Sequence, residues 1–494
     1  MLPDRAPDTL AADLRAANFT ADGLQAHLGS VAAAALHREQ VVPALRATDD
    51  DRPLSVLIRF FCLGMPMPAG LLDRALPSTG AAGLVAHGLA TRDGEALAPA
   101  YDLRPYGDED HDWWVLSDLS EVATRAPLRE DHVLGIGGAS TTLASWTPRR
   151  RARRALDLGT GSGVQTLHLA QHCDQIVATD LSERACATAQ FTASINGLDM
   201  VEVRRGSLFE PVAGERFDLI VSNPPFVITP RAPGVPEYEY RDGGLVGDAI
   251  VRTVVQQAEQ HLQPGGIAQL LGNWEVPRGR DWADVVGDWL APTGLDAWVV
   301  QRDSQDPAEY AELWASDGGH RTGEIYERMY AAWLDDFAAR EVERIGFGII
   351  TLRRPETDRP AVRRLEEVGG PVASPMGPTI DAGLRVLEWT ATHEVLDARW
   401  MVAADVTEER FGRPGAADPS VIRLTQGGGL RHTVQIDTAT AAFVSVADGE
   451  LTARQAYAAI AALLDQDAEE LLAEQRPIVQ GLVERGFLVP VEGE

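Results

Sequence analysis

The chain has 494 residues, of which 45% are hydrophobic and 24% are charged, and its formal net charge is −29. This composition is typical of a globular protein of roughly two to four domains, and it excludes both a disordered chain and a single small core. The sequence contains no lysine, so every fixed cation is an arginine. Because an acidic surface repels the phosphate backbone, the charge disfavours nucleic acid as a partner without excluding it.

The sequence gives no sign of a membrane segment or of a secretion signal. An apolar run of about eighteen residues is absent, and the amino terminus lacks a basic start followed by an apolar stretch. Three cysteines, Cys62, Cys173 and Cys186, show neither metal nor disulfide spacing. We therefore expect a cytoplasmic protein without a bound metal.

Residues 1–107 are predicted to form a mainly helical domain. Helix-forming composition begins at residue 10, and Thr20 is a plausible helix cap. Shorter helices follow, and Asp93-Gly94 is a typical turn between two strands. This order suggests a winged-helix-like unit. Because it has no basic recognition helix, we expect it to present a substrate or to pack against the rest of the chain.

The approach to the next domain contains a predicted strand, residues 113–118, and a segment rich in glycine and hydroxyl groups, residues 134–143. That segment is either a flexible connection or a loop that covers a ligand. The basic run 149–154 comes next and reads as a solvated linker or as a patch for a phosphate backbone.

A predicted buried strand, residues 154–158, runs into Gly159-Thr160-Gly161-Ser162-Gly163 and then a helix. Glycines at alternate positions let the backbone turn tightly and approach a ligand that Cβ atoms would exclude. Ordinary turns share this motif with nucleotide-binding folds, so the motif alone does not decide between them.

A second predicted strand, residues 175–180, ends in an acid, Asp180. In doubly wound sheets an acid at this position hydrogen-bonds ribose hydroxyls. Asp180 could also cap a helix that begins near Ser182, and the two roles are compatible.

A later predicted strand, residues 217–222, runs straight into Asn223-Pro224-Pro225-Phe226. Two prolines remove backbone donors and leave the carbonyl groups free. A carboxamide, free carbonyls and an aromatic ring then lie at the carboxyl end of a strand, where open α/β sheets bind ligands. A simple Asn-Pro turn with a packed ring is the alternative, and the position behind the glycine turn favours a binding site.

With these motifs, residues 131–354 resemble a class I S-adenosylmethionine (SAM)-dependent methyltransferase of the branch that carries an N/D-P-P-Y/F motif. That branch includes the release-factor glutamine N5-methyltransferases and the N-methyltransferases of adenine and guanine in RNA and DNA. The resemblance implies an α/β fold with a doubly wound, seven-stranded sheet, and SAM as the cofactor.

The resemblance and the composition breaks divide the chain into 1–107, 108–356 and 357–494. The middle segment is the expected methyltransferase domain. The last segment follows a proline-rich break and is predicted to be a small α+β domain, with helices and a short final strand that faintly resemble a winged helix.

The resemblance also implies which side chains bind SAM, because family motifs match this sequence position by position. The implied cofactor-binding residues are Asp157, Gly159, Thr160, Gly161, Gly163, Asp180, Leu181, Ser207, Leu208 and Asn223, with Thr142 and Gly137 from the glycine-rich segment. The sequence departs from the family at Ser207, where relatives usually have an acid that reaches the adenine amino group. A hydroxyl accepts that hydrogen bond more weakly.

The implied catalytic residues are Asn223, Pro224 and Phe226. We expect the Asn223 side-chain oxygen and the Pro224 carbonyl to accept the N–H hydrogens of a planar NH₂ group while Phe226 stacks on it. The proline-rich loop after Phe226, through Pro230, Pro233 and Pro236, is predicted to be a lid.

Three functions remain open at this point. A protein or peptide glutamine side chain is the favoured acceptor, because the chain is acidic and Arg241-Asp242-Gly243-Gly244 resembles the glutamine enzymes. A nucleobase of ribosomal or transfer RNA is the second, supported by the basic run and the winged-helix features. A non-catalytic SAM-binding scaffold is the third, and it receives support only from Ser207. The oligomeric state stays open.

Overall fold

A computed structural model describes most of the chain. The described residues are 2–3, 5–124, 128–232, 235, 238–316, 323–415 and 418–491. They form two compact units, Met1–Ala144 with Arg151–Asp358, and Ser145–Arg150 with Arg359–Glu494. Among the described helices, none combines the length and apolar character that a membrane crossing requires.

The first unit begins with short helices and a small antiparallel sheet. Its helices are α1 (Asp8–Ala16), α2 (Ala21–Leu36), α3 (Val42–Ala47), α4 (Pro53–Leu57), α5 (Ala69–Ala75) and α6 (Gly80–Ala86). Its strands are β1 (Met67–Pro68), β2 (Ala90–Asp93) and β3 (Ala96–Pro99), in the order β1-β3-β2. Thr20 caps α2 by accepting from the Gly23 N–H, and the turn after Asp93 joins β2 to β3. The winged-helix-like assignment stays a prediction.

A hairpin joins these helices to the large sheet within the same unit. Its strands are β4 (Asp102–Gly107) and β5 (Asp112–Ser117). Successive side chains of a strand point to opposite faces. Accordingly, Trp114 packs in the N-terminal core, whereas Trp113 packs with Val164 and Leu167, which lie on the helix after the first strand of the large sheet. The predicted boundary at 107/108 falls in the turn of this hairpin, and the compact first unit extends across it. The three-domain division stays a prediction.

Seven strands of the first unit form its main sheet, in the spatial order β8-β7-β6-β9-β10-β12-β11. Their bounds are β6 (Ala152–Leu158), β7 (Cys173–Asp180), β8 (Val201–Arg205), β9 (Phe217–Ser222), β10 (Leu262–Pro277), β11 (Asp296–Gln305) and β12 (Val342–Arg353). β6 to β10 run parallel, whereas β12 runs antiparallel to both of its neighbours. This is the α/β sheet that the resemblance implies.

Two helices directly precede β6, and the helices that follow it connect the strands of the sheet. They are α7 (Glu121–Thr124), α8 (Gly138–Trp146), α9 (Val164–Leu169), α10 (Glu183–Ile195), α11 (Ala249–His261), α12 (Trp282–Leu290), α13 (Pro307–Ser316) and α14 (Glu324–Ala339). β6 and β9 are neighbours in space although β7 and β8 separate them in sequence. The strand order therefore reverses between β6 and β9, and such a switch point opens a binding crevice at the carboxyl ends of the strands.

The second unit is a smaller α+β assembly. Its helices are α15 (Gly377–Thr390), α16 (Thr438–Val446), α17 (Ala453–Leu464) and α18 (Ala468–Glu484). Its strands are β13 (Arg363–Glu367), β14 (Arg399–Val402), β15 (Val406–Phe411), β16 (Val421–Gln426), β17 (Thr433–Ile436), β18 (Asp448–Thr452) and β19 (Leu488–Pro490). They include two three-stranded antiparallel sheets, β18-β14-β19 and β15-β16-β17. Trp400, Phe443 and Tyr457 lie in its core.

Candidate active site

The glycine turn follows β6 directly. Gly159, Gly161 and Gly163 all have positive φ, at 77°, 55° and 87°. The N–H groups of Gly159 and Thr160 both donate to the Thr179 carbonyl at 2.9 Å, which fastens the turn to the end of β7. A Cβ added at Gly159 or Gly161 would meet no atom within 4 Å, so both α-carbons face open space. The sequence needs glycine here for the backbone conformation, and the open space is available to a ligand.

Asp157 supplies a buried carboxylate beneath this turn. Its Oδ2 accepts hydrogen bonds from the hydroxyls of Thr160 and Thr166, each at 2.7 Å. Its Oδ1 has no hydrogen-bond partner among the described residues. Because the side chain is fully buried, desolvation raises the pKa of Asp157 to about 6. One carboxylate oxygen is therefore free to accept a hydrogen bond from a bound group.

Asp180 ends β7 beside the same turn. Its Oδ2 accepts from the Gly161 N–H and its Oδ1 accepts from the Ser182 N–H, each at 2.9 Å. Burial raises the pKa of Asp180. Helix α10 begins at Glu183 with Ser182 as its N-cap residue, so Asp180 does not cap that helix itself. Each carboxylate oxygen keeps a second lone pair, as the predicted contact with ribose hydroxyls requires.

Three further predicted cofactor-binding residues, Leu181, Ser207 and Leu208, follow β7 and β8. Leu181 is an apolar side chain that is 63% exposed. The Gly206 N–H donates to the Asp180 carbonyl at 2.9 Å. The segment that starts with Ser207 and Leu208 therefore leaves β8 beside the end of β7. Leu208 has a φ of 46°, a left-handed conformation that costs a branched residue roughly 1–2 kcal/mol. No motif in the sequence indicated that strain. The contact of Ser207 with adenine stays a prediction.

The second motif lies at the carboxyl end of the neighbouring strand. Leu158 of β6 pairs with Ser222 of β9, so Gly159 and Asn223 are the next residues on adjacent strands. The Ser222 hydroxyl donates to the Leu158 carbonyl at 2.7 Å and ties the two ends together. The Asn223 Oδ1 is buried and has no hydrogen-bond partner among the described residues. The structure thus brings together the two motifs that the sequence singled out.

Phe226 is held by the loop that follows it. It forms an antiparallel bridge with Asp242, and the Val227 N–H donates to the Arg241 carbonyl at 2.9 Å. The Asp242 carboxylate accepts from Arg231 at 2.9 Å, which closes the loop on itself. Of the prolines in the predicted lid, Pro230 is among the described residues, whereas Pro233 and Pro236 lie outside them. The lid stays a prediction.

The glycine-rich segment differs from the expected loop. Residues 138–146 form helix α8, because the Gly137 carbonyl accepts from the Thr141 N–H at 3.1 Å and starts a regular turn. Thr142 therefore lies on a helix, where its side chain is exposed. The Gln165 side chain donates to the Ser140 carbonyl at 2.8 Å and ties α8 to α9. Contact of Thr142 or Gly137 with SAM stays a prediction.

Sequence reasoning missed Tyr310, which holds the loop after Phe226. Its hydroxyl accepts from the Ile228 N–H at 2.9 Å. Sequence reasoning also missed Trp333, whose indole donates to the Ile228 carbonyl at 2.9 Å. Neither contact has a local signal, because the partners are 82 and 105 residues apart in sequence.

Three parts of the chain match known families. Residues 135–289 match the methyltransferase small domain, while residues 16–100 and 383–490 match two domains of unknown function. The strand order and the paired motifs around β6 and β9 define a class I methyltransferase fold.

Relatives of known activity extend this match. The release factor glutamine methyltransferase of Xylella fastidiosa is 37% identical over 203 residues, 39% of this chain and 68% of that protein. The ribosomal protein uL3 glutamine methyltransferase of Bradyrhizobium diazoefficiens is 34% identical, over 32% of this chain and 50% of that protein. The ribosomal RNA small subunit methyltransferase C of Salmonella arizonae is 30% identical, over 40% of this chain and 52% of that protein.

The chain spans about half the length of the last two relatives and two thirds of the first. It belongs to the family of SAM-dependent methyltransferases that includes the release factor glutamine methyltransferases. It is a SAM-dependent N-methyltransferase, and the fold class and cofactor predicted from its sequence are confirmed.

Proposed function

We propose that this enzyme methylates the side-chain amide nitrogen of a glutamine in a protein or peptide. The observation that carries the proposal is the buried, unpartnered Oδ1 of Asn223 at the switch point of the sheet. A buried acceptor without a donor costs about 1–3 kcal/mol. An acceptor substrate with a planar NH₂ group would supply the missing donor.

The residues of the glycine turn fit the cofactor. SAM carries a methyl group on a positively charged sulfur together with an ammonium group and a ribose. The free Oδ1 of Asp157 suits a cationic donor, and the second lone pairs of Asp180 suit hydroxyls. Gly159 and Gly161 leave the space that such a ligand needs. Leu181 and Leu208 would provide apolar contacts for its base.

Asn223, Pro224 and Phe226 would act on the acceptor. The lone pair of an amide nitrogen is delocalised, which makes it a poor nucleophile. If the Asn223 Oδ1 and the Pro224 carbonyl accept both N–H hydrogens, electron density returns to nitrogen. Pro224 and Pro225 have no N–H of their own, so the corner offers acceptors without competing donors. Phe226 would stack on the planar amide and hold its nitrogen about 3–3.5 Å from the methyl group.

The basic run supports a protein acceptor over RNA, because two of its arginines, Arg150 and Arg154, are partly buried and already paired within the chain. Arg150 forms an ion pair with Asp381, Arg154 with Glu215, and Arg151 lies 3.6 Å from Asp174. A phosphate-binding patch needs cations that are available to phosphates. The linker interpretation of this run and the net charge of −29 therefore both favour a protein or peptide.

The three thiols support a reducing, cytoplasmic location. Cys62, Cys173 and Cys186 are all free. Burial raises the pKa of Cys62 and of Cys173 to about 12, so these thiols stay protonated and unreactive.

Incubation of cell extract with tritiated SAM and the purified chain tests the proposal. We expect label in macromolecules that protease releases and ribonuclease does not, and no label with Asn223→Ala. Label that ribonuclease releases would favour the RNA acceptor, especially if binding weakens steeply with salt. SAM binding without any labelled product would favour the scaffold.

A further inference from the structure

Helices α13 and α14 form an insertion between β11 and β12, two antiparallel neighbours that a short turn could join. The insertion builds an apolar cluster with the two residues that follow Phe226, Val227 and Ile228. Its fully or nearly fully buried members from the two helices are Tyr310, Ala311, Ala315, Met329, Trp333 and Phe337. The insertion therefore packs directly against the loop that follows Asn223-Pro224-Pro225-Phe226.

Both backbone groups of Ile228 are bonded by side chains of this insertion. The Ile228 N–H donates to the Tyr310 hydroxyl oxygen at 2.9 Å, and the Trp333 indole N–H donates to the Ile228 carbonyl at 2.9 Å. None of the three residues is more than 1% exposed. Buried backbone groups almost always have partners, usually from a helix or a sheet. Here two aromatic side chains take that place.

Tyr310 is itself fixed from several sides. Its hydroxyl oxygen accepts a second hydrogen bond, from the Asn273 side chain in β10 at 3.0 Å. The rings of Phe337 and Phe347 each lie 5.6 Å from its ring. Burial raises the pKa of Tyr310, so the phenol stays neutral at physiological pH. The contact therefore connects the loop to a central strand of the sheet.

Phe226 lies two residues before Ile228. It is half-buried and packs against the same apolar cluster. Its neighbour Val227 is held by Arg241. We infer that Tyr310 and Trp333 are positioning residues that fix Phe226 relative to Asn223 and so orient the planar group of the acceptor. This inference rests on the proposed function, because it needs Phe226 to contact the acceptor.

The test compares the parent chain with two variants and two matched controls. Tyr310→Phe and Trp333→Phe remove the contacts to Ile228 and keep an aromatic ring. Tyr457→Phe and Trp400→Phe are the controls in the second unit, where Tyr457 donates to Gln475 at 3.0 Å and Trp400 to the Val395 carbonyl at 2.8 Å. With SAM and peptides that contain a central glutamine, the assay gives kcat and KM. Separate experiments measure the SAM dissociation constant and the deuterium uptake at residues 226–230.

We expect kcat of both variants to fall about tenfold or more, because small displacements of a reacting group are costly. SAM affinity should change less than about twofold, deuterium uptake at Ile228 should rise, and the controls should keep kcat even where they lose stability. When Tyr310→Phe is added to Phe226→Leu, it should cost little more, because coupled residues are not additive.

Variants that keep kcat within about twofold of the parent chain, or controls that lose as much, would overturn the inference. Additive losses in the double variant would overturn it as well. If the parent chain methylates none of the peptides, the glutamine proposal fails, and deuterium uptake alone decides. Faster deuterium uptake at residues 226–230 in the two variants then supports the inference that Tyr310 and Trp333 hold this loop. Unchanged uptake rejects it.

Discussion

Leu158 and Ser222 lie opposite each other on adjacent parallel strands, and the Ser222 hydroxyl donates to the Leu158 carbonyl at 2.7 Å. Each residue is the last of its strand, and each is followed directly by one of the two motifs. This pair therefore fixes the distance between the glycine turn and Asn223. The geometry of methyl transfer depends on that distance, because donor and acceptor are held by different strands.

Removing this contact should weaken both stability and turnover. In Ser222→Ala the Leu158 carbonyl loses a buried hydroxyl donor, so we expect the free energy of unfolding to fall by about 1 kcal/mol. Thr48→Val is the matched control, because the buried Thr48 hydroxyl also donates to a carbonyl, that of Ala44 at 2.8 Å. Chemical denaturation and kcat should show equal losses of stability and a loss of turnover in Ser222→Ala alone. Equal turnover in both variants would contradict this role.

Glycine at position 161 should matter for SAM as well as for the backbone. Gly161→Ala places a Cβ at a φ of 55° and into the open space before the turn. Gly94→Ala is the matched control, because Gly94 has a φ of 60° and its Cβ would also meet nothing within 4 Å. Both should lose about 1 kcal/mol of stability. Only Gly161→Ala should weaken SAM binding, by about tenfold or more in calorimetry. Comparable SAM affinity in the two variants would mean that the ligand lies elsewhere.

Asp157 should make SAM binding depend on pH. Its pKa is raised to about 6, so below that value the carboxyl is protonated and loses its attraction for a cationic ligand. We expect SAM affinity to fall as the pH drops through 6, approaching tenfold per pH unit. Calorimetry between pH 5 and 8, a range chosen to bracket this pKa, should show the effect in the parent chain and not in Asp157→Asn. A profile that Asp157→Asn shares would assign the titration to another group.

Without SAM the same carboxyl has the opposite effect. Its folded-state pKa lies above the ordinary value of 3.8, so the ionised form destabilises the fold. About two pKa units correspond to roughly 3 kcal/mol, a penalty present in full above pH 6 and lost as the pH falls toward 4. As the pH falls from 6 toward 4, the parent chain should therefore gain stability relative to Asp157→Asn. Thermal unfolding at several pH values would measure it, and a difference independent of pH would refute it.

The glycine turn, Asp180 and Asn223 could be predicted from sequence because each lies at the end of a strand with a clear apolar run or directly after it. The carboxyl ends of parallel neighbours meet at one edge, so local order along the chain predicts proximity. These elements use signals contained within a few residues.

Other features have no such signal. Ile228 and its partner Tyr310 are 82 residues apart, and buried aromatics at helical spacing read as ordinary packing. Strand β15 has no buried residue, so it lacks the alternation by which strands are recognised. Helix α8 begins among glycines that favour a loop, and the Gly137 carbonyl and its bond to Thr141 decide otherwise.

The most direct test of the central claim identifies the atom that receives the methyl group. Protein labelled with tritiated SAM and this chain should release tritiated methylamine on acid hydrolysis, because an N-methylated glutamine amide breaks into glutamate and methylamine. We predict that this product carries the enzyme-dependent label and that Asn223→Ala abolishes it while SAM still binds. Label recovered in a methylated nucleobase, or full release of methylamine with Asn223→Ala, would contradict the account.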